Sequence, residues 1–332
     1  MTVPAIDGYS MFSATADDVV SGRFSIDPID ILNNILSGLM TELKSFAGTA
    51  AIILVMTMLS STIGTLNSSL GENSGGRAAF FTFFTVISGL ALSCFYTALS
   101  YGSGIMTEMT GFMNKLTPVL IISVFACGKP ASAAAFEPVL SAAVYVISLV
   151  IEKCLVPLMA FSAVLSVAGN IDEKNNVSGF IKIVHSVTKW LIALIITLFT
   201  GINTVYGFSV SSLDAVSAKA IKFAASSLVP VVGGFLSDTL DTVTTSAGLI
   251  KNAVGVSGII IMCGICITPI LKLGIMQLLL KLVAAIVEPI TDKRISGMLW
   301  GMSEAVTAVF GTLILTTIMF VVNICIILRA TG

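Results

Sequence analysis

Six runs of apolar residues, at positions 46–63, 78–99, 135–151, 191–210, 254–271 and 305–328, dominate this chain. Each is close to the about 20 residues that a helix needs to cross roughly 30 Å of hydrocarbon. In lipid every backbone N–H and C=O must be satisfied within the protein, which leaves only helices and closed barrels as spanning structures. The runs are continuous rather than alternating, so they read as helices. The fold class is therefore an all-α polytopic membrane protein. With 11% charged residues, against about 25% in soluble domains, the chain is a poor cytosolic enzyme or disordered segment. Its 17 Lys and Arg against 18 Asp and Glu leave no basic footprint for nucleic acid.

Two shorter runs, 154–168 and 273–287, begin or end at charged residues and read as further spans. A third, 116–126, is too short to cross and reads as a re-entrant or buried piece. Residues 177–190 place Ile181, Val184, Val187 and Trp190 near one helical face, with Lys182, His185 and Lys189 largely elsewhere. Residues 213–254 mix six charges with small and apolar residues. Both stretches suit the membrane interface or a protein interior. The count is eight spans, or seven. Residues 1–45 read as an acidic, extracytoplasmic leader without a signal peptide, and 46–332 as the multi-span domain. Lys and Arg divide almost evenly between the two sides, so they set no orientation.

Shifting the chain by 112 residues lays Leu116-Thr-Pro118-Val on Leu228-Val-Pro230-Val, and Cys154-Leu-Val-Pro157-Leu on Cys266-Ile-Thr-Pro269-Ile. Two coincident pairs among nine prolines suggest a duplication with units 77–188 and 189–300. Three spans per unit would invert successive copies, the architecture of many secondary transporters. Duplication for packing alone is the equal alternative.

Charge inside a membrane costs about 2.5–3.5 kcal/mol per residue at mid-bilayer, so each case needs a reason. Glu152 and Lys153, and Lys272 one unit later, fall at expected span junctions, where snorkelling explains them. Glu137 lies among small residues before Pro138, where it caps an incoming helix or faces a polar cavity. Asp238 and Asp241, three apart, share a helical face as an ion or proton site or as a polar stripe. Lys281 stands two turns before Glu288, on one face but too far to pair directly. Glu137, Asp238, Asp241 and Lys281 are the candidate pathway residues.

Pro118, Pro157, Pro230, Gly233, Gly234 and Pro269 are candidates for close packing or hinges. The C-x-x-C of Cys263 and Cys266 sits in an apolar run without further ligands, which favours core packing over a metal. His185 is the only histidine, and it has no nucleophile motif beside it. No phosphate-binding loop, dinucleotide fingerprint or zinc-protease motif occurs. The sequence predicts no enzyme, no cofactor and no metal site.

One pattern goes further. The segment Ala220-Ile-Lys-Phe…Leu228-Val-Pro-Val-Val-Gly-Gly-Phe-Leu-Ser-Asp-Thr-Leu-Asp-Thr-Val243…Leu249-Ile-Lys-Asn-Ala-Val-Gly255 resembles the stage III sporulation protein AE family of endospore-forming bacteria. The likeness extends through Ala133-Ala-Ala-Phe-Glu-Pro-Val-Leu140 and Leu155-Val-Pro-Leu-Met-Ala-Phe-Ser-Ala-Val-Leu-Ser166 and covers most of the chain from about Ser45. The resemblance implies a component of a specialised secretion or feeding channel, made in the mother cell and seated in the outer forespore membrane. Its implied partners are membrane lipids, the other stage III A-operon proteins and, indirectly, a forespore membrane protein. Homo-oligomers are open to it. Relatives usually carry a signal-like segment and a longer extracytoplasmic region, from which this chain departs. The family supplies no catalytic residues. The alternatives are a secondary transporter for a small solute and a scaffold for the same complex.

Overall fold

A computed structural model describes residues 28–69, 74–171, 179–201 and 233–329. Among these, all regular structure is helical, and six helices are long and apolar enough to cross a membrane. The elements are α1 (Pro28–Ser69), α2 (Ser74–Ala126) and α3 (Pro130–Val150), which runs through a π-turn (Ile151–Leu155) into α4 (Val156–Ala168). They continue with α5 (Gly179–Gly201), α6 (Gly233–Val287) and α7 (Lys293–Arg329). The leader up to Asp27 and residues 202–232, with the Pro230 candidate hinge, lie outside the described residues.

Among the described residues six helices are of membrane length, and the expected junctions inside them are not turns. Residues 116–126 are the last turns of α2 rather than a re-entrant piece. Residues 254–271 and 273–287 form one helix through Lys272. Residues 135–151 and 154–168 likewise join through Glu152 and Lys153. Charge alone does not break a helix; a turn needs residues that release the backbone ladder, and Lys and Glu are good helix formers. Pro157 shows the point. Proline removes an N–H and clashes with the carbonyl four residues back. That carbonyl belongs to Lys153, inside the π-turn, where the Val156 N–H instead reaches Ile151 O. The extra residue in the π-turn makes room for the ring, so the helix continues.

Real turns use turn chemistry. Between α2 and α3 the chain reads Cys127-Gly128-Lys129-Pro130. Gly128 adopts φ 74°, a conformation in which a side chain is strained, and its N–H bonds Phe125 O at 3.0 Å. Pro130 then opens α3, where its missing N–H is harmless. Between α6 and α7, Asp292 is an N-cap: its Oδ1 accepts the Arg294 N–H at 2.9 Å and its carbonyl accepts from Ile295 at 3.1 Å.

Cross-helix contacts fix the register. Tyr101 lies under Lys272, and Leu116 lies against Gly258, so α2 and α6 are antiparallel. Lys251 meets Leu328, so α6 and α7 are antiparallel. Met159 meets Thr312 and Ser166 meets Gly301, which sets α4 antiparallel to α7. Helix α7 is the axis. Its buried residues, among them Met298, Met302, Val309, Leu313, Phe320 and Ile324, recur too densely for one apolar stripe, and α2, α3, α4 and α6 pack around it. Elsewhere large apolar side chains face outward, such as Ile52, Val55, Tyr145 and Trp190, as lipid demands.

Candidate functional site

Among the described side chains, the expected pathway residues Glu137 and Lys281 are not brought together. Glu137 is exposed in the second turn of α3, where Lys129 is the N-cap and no side chain caps the helix. The capping role is therefore not taken. Lys281 is half-buried in α6, and Glu288, at the end of the same helix, accepts the Trp300 indole N–H at 3.1 Å. Gly233 and Gly234 open α6, and Asp238 and Asp241 follow in its first turns, with their side chains outside the described residues. Of the hinge candidates, Pro118 and Pro157 are exposed on continuous helices, while Pro269 is buried within α6. Cys266 faces the core and Cys263 faces outward, so the C-x-x-C pair does not converge.

Three polar features do cross between helices. The first joins α5 to α7, where Glu304 Oε2 sits 3.4 Å from Lys189 Nζ and 3.7 Å from His185 Nδ1. His185 is buried, and its Nε2 has no hydrogen-bond partner. The expected apolar face of residues 177–190 is split: Val184 points inward with His185 and Thr188, while Val187 and Trp190 point out together with Lys182 and Lys189.

The second feature is a seam of small and polar residues between α4 and α7. Ser162, Ser166 and Asn170 recur at intervals of four, and of these Asn170 meets Gly297 and Ser166 meets Gly301. A Cβ on Gly301 would collide with the Ser166 side chain, and one on Gly297 would fall 2.6 Å from Asn170 Oδ1. Only glycine permits this approach. Above it Thr312 contacts Met159 Sδ at 4.0 Å, and Asn323 is fully buried with neither end of its amide hydrogen-bonded. The seam was readable: Gly297-Met-Leu-Trp-Gly301 is a G-x-x-x-G, the signature of close membrane helices.

The third feature is Lys251, which is buried near the start of the apolar part of α6 and donates to Leu328 O at 2.9 Å. A cation is favourable at a helix C-terminus, where carbonyls lack partners. Nearby, burial pushes the Cys127 thiol above its usual range, although Lys251 and Lys129 oppose the shift. At the opposite end of the bundle, burial opposes ionisation of Asp292. Hydrogen bonds and charge from Arg294 win, and they hold its carboxyl below the usual value.

These features order helices and hold charge inside a bundle. Among the described residues no group of three or more His, Cys, Asp or Glu side chains gathers as a metal site would require.

No solved structure matches the chain. It is 26% identical to a stage III sporulation protein AE of Bacillus subtilis (strain 168), over 94% of this chain and 78% of that protein. The family model described as stage III sporulation protein AE matches residues 10–331. With six membrane-length helices and a family match across nearly its whole length, the chain is an integral membrane protein belonging to the stage III sporulation protein AE family.

Proposed function

We propose that this protein is a non-enzymatic membrane component of an export or feeding channel between mother cell and forespore, resident in the mother-cell (outer forespore) membrane. One observation carries the reading: a family tied to sporulation is matched across a chain whose described residues build a bundle of membrane-length helices. Its polar contacts, Glu304 with Lys189 and Ser166 with Gly301, join helices to one another and resemble no arrangement of nucleophile and base. The other stage III A-operon proteins are the expected partners. Deleting the gene should abolish heat-resistant spores. The tagged protein should co-purify with those partners from engulfing cells. Normal sporulation of the deletion strain would overturn the reading.

A secondary transporter is the second reading, favoured by the unpartnered Asn323 amide and the buried His185 beside Glu304. It requires that purified protein alone in liposomes moves a solute, with Glu137→Gln or Asp238→Asn changing the rate. A scaffold instead requires those variants to sporulate normally while Gly233→Leu breaks assembly.

A further inference from the structure

Outward faces differ sharply among the helices. On α1 the exposed positions include Ile52, Val55 and Leu59; on α3 and α4, Tyr145, Val146, Phe161 and Val164; on α5, Ile183, Val187 and Trp190. Such faces suit lipid. Where charge interrupts the α3–α4 face, Glu152 and Lys153 pair with each other at 3.0 Å. Helix α2 is unlike them. Large apolar residues are exposed up to Tyr96 and again from Val119, and between them none is. Over Thr97–Pro118 the outward positions include Thr97, Ser100, Thr107, Glu108, Asn114 and Lys115. At 1.5 Å per residue that stretch is about 33 Å long, close to the about 30 Å of a hydrocarbon core.

The threonine hydroxyls are partly satisfied within the helix, since Thr97 donates to Ser93 O and Thr107 to Ser103 O. Lipid would tolerate them. It would not tolerate Glu108, Asn114 and Lys115, whose side chains make no hydrogen bond or ion pair among the described residues. Each charge alone costs about 2.5–3.5 kcal/mol against mid-bilayer lipid. Leu116 against Gly258 and Tyr101 under Lys272 set this stretch beside the part of α6 where Val256 and Ile267 face outward. It shares the depth of that apolar surface, and a polar face there calls for water on its outer side. One helix cannot enclose water, so several such faces must close around it. The surface also admits neighbours: a Cβ at Gly89, Gly104 or Gly111 of α2, or at Gly264 of the adjacent α6, would meet nothing within 4 Å. Backbones bared in this way allow a second helix to approach closely.

We infer that the α2 face Thr97–Pro118 lines a water-filled pore closed by a ring of copies of this chain, with Glu108 and Lys115 as two charged rings about 10 Å apart. The inference rests on the channel reading and gives it a wall.

Accessibility of single cysteines tests it. In a chain with its six cysteines replaced, Thr97→Cys, Ser100→Cys and Thr107→Cys are reconstituted alone in liposomes. A charged, membrane-impermeant thiol reagent should label them about tenfold faster or more than Val146→Cys and Val164→Cys, because a charged reagent avoids lipid. An apolar maleimide should label the two controls. Cross-linking of the same liposomes should yield a ladder of copies. If only the apolar maleimide labels the α2 positions, the face meets lipid and the pore is lost. If neither reagent labels them, another part of the chain covers the face, and the pore is equally lost. A cross-linking product no larger than one chain also overturns it. The spore count of the deletion strain is scored separately, so the pore can fail while the sporulation role stands.

Discussion

Single residues at the two ends of the bundle make the sharpest cases. Asp292 caps α7, and Asn or Ala in its place tests the charge and the cap in turn. Asp292→Ala should cost about 1 kcal/mol, read as a lower unfolding temperature in detergent at pH 7. Its carboxyl titrates below the unfolded value of about 3.9. The cap's contribution is therefore complete above that pH and is lost as pH falls through the lower, folded value. Wild type and Asp292→Ala should converge in stability on acidification; a constant gap would refute the assignment. At the other end, Lys251→Met removes the cation from the Leu328 carbonyl. A hydrogen bond to a charged group contributes about 1.5–3 kcal/mol. Faster hydrogen exchange confined to the last turns of α7 is the expected signature. Little of this was legible in advance. Lys251 reads as one of several charges in a mixed stretch, because the carbonyl it meets lies 77 positions away in sequence.

At the level of elements, helix pairs are decided by what fits between them. Gly301 on α7 lies against Ser166 on α4 so closely that a methyl group has no room. Gly301→Leu should separate the pair and cost about 1–3 kcal/mol or more through overpacking. Gly301→Ala should be milder, and Ser166→Gly should restore much of its loss; a double variant no better than the single one would refute the contact. Apolar runs revealed the helices, yet their ends were placed at the wrong residues. Glu152, Lys153 and Lys272 mark helix interiors, since a span boundary is set by turn residues such as Gly128 and Asp292 rather than by charge. Helical periodicity set His185 apart from Trp190, as they lie in α5, but it does not tell whether a face meets water, lipid or protein.

For the molecule as a whole, length is the leading fact. Helix α2 has 53 residues and α6 has 55, which at 1.5 Å each is about 80 Å. Hydrocarbon covers less than half of that, so a large part of the bundle must stand in the interfacial region or beyond it. Membrane class and family were legible from composition and from one fairly specific stretch. The G-x-x-x-G of the polar seam was legible as well, but its partner helix and the α2 stripe were not, because both depend on which of several similar helices lie in the middle. Helix α7, which takes the central place in the described packing, falls largely outside both units of the 112-residue spacing.

That central place has a consequence for how the protein is made. The ribosome delivers α7 after every other described helix, so α1 to α6 enter the membrane before their common axis exists. Until it arrives, Ser166, Asn170 and Met159 lack their partners, and the earlier spans have only their contacts with one another, such as Leu116 against Gly258. Assembly is then gated by the translation of α7, and an early stop after Val287 should yield a chain that inserts but is promptly cleared by membrane proteases.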